Sequence, residues 1–209
     1  MKLHARVYGE GKPLIILHGL FGSSDNWQTL GKRFAENYKV FLVDQRNHGH
    51  SPHSNDFSYE LMSDDLDEFI LENDLEDVIL VGHSMGGKTV MTYSQLDDTR
   101  IAKMVVVDIG PKGYPMHHDV ILEAMHSLDF EIDKTRGKCD IKMAQYIPDM
   151  GVRQFLLKNL YWVEKGQLGW RMNLHVLSRE MPNIISALEP EQVQVETLFI
   201  RGEKSNYIL

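Results

Sequence analysis

Residues 77–96, DVILVGHSMGGKTVMTYSQL, decide how this chain is to be read. An apolar run of strand length ends in Gly82-His83-Ser84-Met85-Gly86, a G-x-S-x-G pattern, and a helical pattern follows at once. A strand, a sharp turn centred on serine and a helix form a nucleophile elbow. The glycines have a steric reason to be there: a side chain on either flank of so tight a turn would crowd the strand and helix that meet at it. Ser84 would then stand exposed above the sheet edge, and the Met85 N–H, at a helix N-terminus, would point toward a developing oxyanion.

Working outward, five short apolar runs stand at 14–17, 40–43, 78–81, 104–107 and 198–200. Each is apolar throughout and reads as a strand covered on both faces, as in a parallel sheet flanked by helices. Helical spacing fills the gaps: 25–37, with Asp25 available as an N-cap, and 58–74, with Leu61, Leu66, Phe69 and Ile70 on one face. The alternation β-α-β-α-β-α-β predicts an α/β fold with a mostly parallel sheet. After Asp108 the pattern changes. From 111 to 190 the sequence shows helical periodicity and no convincing strand, with expected helices at 118–129, 140–147, 152–163 and 173–188, the last split or kinked at Pro182. The expected organisation is a core over 1–110, a helical lid insertion over 111–190 and a return to the core over 191–209.

A second oxyanion donor is offered by 14–27, LIILHGLFGSSDNW, where the loop opening at His18-Gly19 supplies the backbone N–H of Leu20 or, as the weaker alternative, Phe21. His18 reads as a structural hydrogen-bonding residue. Asp and Glu outnumber Lys and Arg by 30 to 22, a net charge of −8, which argues against nucleic acid or an anionic membrane surface as partner and for a small molecule. The single cysteine, Cys139, has no internal disulfide partner, and the first residues show no signal-peptide pattern, so a reducing, cytoplasmic setting is expected. No His and carboxylate set has metal-ligand spacing, and no cofactor is expected. Oligomeric state is not legible here.

Taken in order, LHGLFGSSDNW, VDQRNHGHSP, VGHSMGGKTVM, VVVDIGP, GWRMNL and LFIRGEKSNYI resemble the α/β-hydrolase superfamily, and within it the bacterial YbfF-type serine esterases. The resemblance covers nearly the whole chain. It implies a serine esterase or thioesterase acting on esters of short to medium acyl groups, including acyl-CoA, with a helical cap inserted after the sixth strand of the family fold. Two positions compete for the acid. Many relatives carry it after the segment here written LFIRG, but Ser205 stands where an aspartate is usual, leaving Glu203 in reserve; the resemblance to YbfF-type enzymes implies Asp108 instead. Asp44 is similar to a structural, loop-organising residue of the family. Phe21, in the oxyanion loop, and Trp170 and Met172, among other aromatic and Met residues of the lid, are expected at the substrate.

The base is the difficulty. In the family a histidine follows one further strand, about 25–30 residues past the LFIRG segment, and no histidine follows that segment here. Of the ten histidines present, His18 is already read as structural and eight more have a plainer reading: His83 turned aside by its own turn, His48, His50 and His53 in a polar loop, and His117, His118, His126 and His175 in the lid. The expectation is therefore an incomplete view of an esterase, nearly inert as it stands, because losing the histidine alone costs on the order of a millionfold in kcat. The rivals are a cofactor-free perhydrolase or haloperoxidase using the same residues, and a binding protein that keeps the fold without turnover.

Overall fold

The computed structural model describes residues 1–209 except 117, 206 and 209. Six strands form one sheet: β1 (Ala5–Tyr8), β2 (Pro13–Leu17), β3 (Lys39–Val43), β4 (Val78–His83), β5 (Ile101–Val107) and β8 (Thr197–Ile200). They lie in the order β1-β3-β2-β4-β5-β8, all parallel except β1, which pairs antiparallel with β3. β2, β3 and β4 are almost wholly buried, as their unbroken apolar runs require of strands covered on both faces. On one face the core contains Ile15, Phe41, Leu66, Ile70, Val90 and Val106; on the other, Leu14, Ile16, Val40 and Leu42 pack with Trp27.

Helix α1 (Gln28–Phe34) follows a single 3₁₀ turn, Ser24–Trp27. The cap of that turn is Ser23, which shares a capping box with Asn26, so Asp25 is not the N-cap expected for this helix. Helix α2 (Tyr59–Glu72) is capped by Ser58, whose side chain accepts from the Leu61 N–H, and α3 (Met85–Leu96) follows β4 directly.

Between β5 and β8 the chain forms α4 (Asp119–His126), α5 (Arg136–Met143), α6 (Met150–Leu157), a hairpin of β6 (Leu160–Glu164) and β7 (Gln167–Trp170), then α7 (Leu174–Arg179) and α8 (Met181–Ile185). The hairpin corrects the expectation of helix over 152–163. Helix α6 ends at Leu157, Asn159 closes it by donating its N–H to Leu156 O at 3.0 Å, and the aromatic and β-branched run Tyr161-Trp162-Val163 then suits a strand. Gly166, at φ 88°, supplies the left-handed residue that turns the hairpin. Arg179 ends α7 and Met181 begins α8, so the segment is divided beside Pro182, as expected. This insert shares a hydrophobic core with Phe21, Phe57, Tyr59, Met62 and Met85, so it is fused to the end of the sheet where the strands' carboxyl termini lie.

Two strands depart from their reading. β1 is only four residues long and carries Arg6, so it gave no apolar run. β8 is an edge strand with Leu198, Phe199 and Ile200 between 44% and 58% exposed, not a strand covered on both faces. Among the described residues no helix is long and apolar enough to cross a membrane.

Candidate active site

Three adjacent strand ends assemble the site. β2 lies beside β4 with Leu17 level with Gly82, and β5 lies on the other side with Val107 level with His83. The residues just past these ends, Gly19-Leu20, Ser84 and Asp108, are therefore neighbours whatever their distance in sequence.

Ser84 sits at φ 51°, ψ −118°, outside the left-handed helical well, a backbone cost of about 1–3 kcal/mol that the surroundings must hold in place. They do so from both sides: the Ser84 N–H donates to Val107 O at 3.0 Å, and the Gly87 and Lys88 amides donate to Ser84 O at 2.8 and 3.1 Å. The elbow's glycines are sterically forced. A Cβ on Gly82 would lie 2.3 Å from Gly86 O, and one on Gly86 would lie 2.5 Å from Leu17 O, both backbone atoms that cannot give way. Met85 opens the 12-residue helix α3, so its N–H belongs to the first turn, whose amides have no partner within the helix.

Residues 19–22 form a turn closed by the Gly22 N–H on Gly19 O at 2.9 Å. It presses on the serine: a Cβ on Gly19 would lie 2.8 Å from His83 Nδ1 and 3.1 Å from Ser84 Cβ. Phe21 occupies the turn at φ 59°, and its N–H donates to His48 Nε2 at 3.2 Å. The Phe21 amide is thus engaged, which leaves Leu20 as the candidate donor of the pair. Asn159 Nδ2 donates to Phe21 O at 2.8 Å from the far side.

A polar loop over 44–51 anchors this turn. Asp44, fully buried, accepts from the amides of Ser24 at 2.6 Å and His50 at 2.9 Å and contacts His4 Nδ1 at 3.0 Å. Burial pushes its pKa up, but the His50 and Ser24 amides outweigh burial and hold it below the usual carboxylate value. His18 takes the Gln45 N–H on Nε2 at 3.1 Å and gives Nδ1–H to Gly19 O at 2.8 Å. Burial lowers its pKa and keeps the ring neutral, fitting the structural part it was assigned from sequence. Burial depresses His48 further, to about 3, which preserves Nε2 as an acceptor while Nδ1–H donates to Arg46 O at 3.0 Å.

Asp108 stands at φ 57° past β5, its N–H on Ile200 O at 2.7 Å and its Oδ1 accepting from Gly202 N–H at 3.1 Å. His83 is lowered by burial, with the Asp108 charge acting in the opposite direction. Glu203 lies exposed in the turn after β8. Among the described residues no histidine is hydrogen-bonded to Ser84 or Asp108; His117 lies outside them. No group of three or more His, Cys, Asp or Glu among the described residues is arranged to hold a metal ion.

The cleft at Ser84 measures about 440 Å³ and is walled by Leu20, Trp27, Leu30 and Phe155, with His83 and His118 beside the serine. A smaller chamber of about 30 Å³ opens behind Ser84 and is lined by Met85, Lys88, Tyr59 and Tyr114. Phe21, Trp170 and Met172, expected at the substrate, line neither space. The Phe21 ring is 3% exposed and Met172 2%, both packed into the core shared with the insert, while Trp170 sits edge-on to Phe130 at 5.8 Å. Trp27, Leu30, His118, His48, Lys88 and Asn159 were not picked out as site residues. Trp27 and Leu30 follow the Gly19 turn within a dozen residues and had that sequence signal; His48 meets Phe21 inside the core through a long-range contact, and Lys88, His118 and Asn159 become visible only when the insert is folded back.

The family model for the alpha/beta hydrolase fold matches residues 12–139. The chain is 35% identical over its whole length to the Escherichia coli (strain K12) protein named esterase YbfF, of which it covers 82%. It is 37% identical to an sn-1-specific diacylglycerol lipase of Mus musculus over 93% of this chain; that alignment spans 66% of the lipase, just under two thirds. A solved structure titled marine microorganism esterase superposes with a TM-score of 0.96 at 41% identity, covering all of this chain and 83% of that one.

Proposed function

The chain belongs to the α/β-hydrolase fold family, and from that membership we propose that the protein is a serine hydrolase cleaving carboxylic esters through an acyl-enzyme on Ser84. The observation that carries the proposal is the backbone of Ser84. A non-glycine residue is held at φ 51° at the end of a central strand, under a turn pressed to within van der Waals contact and facing an apolar cleft. Strain kept at one position by its whole surroundings points to a site where geometry matters more than stability.

In this reading Ser84 Oγ attacks the ester carbonyl while a general base removes its proton. The carbonyl oxygen becomes an oxyanion held by the N–H groups of Leu20 and Met85. The tetrahedral intermediate expels the alcohol, which takes up the proton, and leaves the acyl group on Ser84. Water then attacks the acyl carbon, releasing the acid and restoring the serine. Asp108 orients the base and stabilises its protonated form. No described residue is assigned as that base.

Substrates of this kind are small-molecule esters. An apolar cleft of about 440 Å³ walled by Leu20, Trp27, Leu30 and Phe155 suits short to medium acyl chains, and thioesters including acyl-CoA fall within the same chemistry. The segment over 111–190 serves as the lid, contributing Phe155 and His118 to the cleft. The test is turnover of p-nitrophenyl esters by the full-length protein and its Ser84→Ala variant. Turnover lost by at least about a thousandfold, with the melting transition kept, is the expected result; a variant that hydrolyses as fast as wild type overturns the assignment.

A further inference from the structure

The turn at 19–22 is held in a conformation that its sequence does not favour. Phe21 occupies the third position at φ 59°, where a bulky side chain is strained and glycine or asparagine is usual. Its two flanking peptides are each fixed by a side chain distant in sequence. His48 Nε2 takes the Phe21 N–H at 3.2 Å, and Asn159 Nδ2 gives a hydrogen bond to Phe21 O at 2.8 Å.

Asn159 is itself closely seated. It is 4% exposed, its Nδ2 also donates to Leu156 O at 3.1 Å, and its own carbonyl takes the Arg171 N–H at 2.8 Å. The junction of α6 and β6 thus delivers a neutral side chain whose two N–H bonds serve two carbonyls at once. A carboxylate could donate to neither, and a methyl group would leave both without this partner.

We infer that Asn159 is a positioning residue for the Leu20 amide, tying the seat of the insert to the geometry of the oxyanion site. The inference rests on the reading of Leu20 as an oxyanion donor. With Asn159 in place, Phe21 cannot relax out of the left-handed region, and the preceding residue keeps its N–H toward Ser84. Without it the turn relaxes, and a displacement of about 1 Å at such a donor costs on the order of a hundredfold in rate. The insert therefore does more than cover the cleft: only when it is seated does Ser84 face a complete pair of donors.

The experiment compares full-length wild type with Asn159→Asp and Asn159→Ala, reading kcat and KM on p-nitrophenyl butyrate and inhibition by butylboronic acid, which forms a tetrahedral adduct on an attacking serine. Expected in the variants is a kcat lowered about tenfold to a hundredfold, KM within about twofold, and boronate affinity weakened by the same factor as kcat. A purely structural role would not make those two losses agree. The inference is overturned if a folded variant keeps wild-type kcat and boronate affinity, if KM alone rises, or if neither variant folds, since Asn159 would then be a determinant of the fold. Wild-type protein that neither turns over the ester nor binds the boronate instead overturns the reading of the site, and this inference falls with it.

Discussion

Asp108 and Glu203 offer two carboxylates past neighbouring strands, and their settings separate them. Asp108 is bound through Oδ1 to the Gly202 amide and acts on the His83 charge, while Glu203 points into solvent. Asp108→Asn should lower ester turnover by about a thousandfold to ten-thousandfold, and Glu203→Gln by less than about twofold, in steady-state assays of the full-length protein. The reverse ranking moves the acid to Glu203. At this scale the elbow was legible because its demands are local: glycines at 82 and 86, serine at 84 and a helix start at 85 sit within one turn of chain. The turn that carries Leu20 was legible from Gly19 after an apolar strand. The substrate wall was not. Phe21, Trp170 and Met172 were picked for residue type, but each finds its partners in the core shared with the insert, and composition cannot tell a lining side chain from a packed one.

At the scale of elements, α3 links the serine to the neck of the insert. Lys88, one turn past Ser84, is 1% exposed. Its ammonium donates to Lys112 O at 3.2 Å and to Ser186 O, one carbonyl from each arm of the neck, and lies over the rings of Tyr114 at 5.2 Å and Tyr59 at 5.8 Å. Among the described residues no carboxylate pairs with it, and burial brings its pKa down to about 8. An unfolded lysine titrates near 10.4, so between about pH 8 and pH 10.4 the unfolded chain holds a proton that the folded chain has released. Stability from this group therefore rises with pH through that window and is lost as pH falls through about 8. Urea unfolding should show wild type gaining on the order of 2–3 kcal/mol over Lys88→Met between about pH 7 and about pH 10; a gap that does not change with pH contradicts this account of Lys88. The central parallel strands β2, β3 and β4 were readable because burial on both faces makes them apolar throughout. β1 and the β6–β7 hairpin were missed because an edge strand with one wet face and a short two-stranded ribbon leave no such run.

For the whole molecule, the candidate site is divided between two bodies of sequence. Residues up to Asp108 hold the proposed nucleophile, the two candidate oxyanion amides and the proposed acid, and the insert adds one wall of the cleft and the Asn159 bond to the turn. The α/β class and the place of the insert followed from alternating apolar and helical patterns. How the insert meets the core did not, because Phe21, 138 residues from Asn159, is joined to it by a contact that no local periodicity encodes. The central claim is that Ser84 carries the acyl group during turnover. Intact mass of the full-length protein, quenched in acid during hydrolysis of p-nitrophenyl butyrate and followed by peptide mapping, tests it most directly. A gain of one butyryl group located on Ser84, and absent from Ser84→Ala, is the predicted result. Steady turnover with an adduct on another residue, or an adduct that persists in Ser84→Ala, would contradict it.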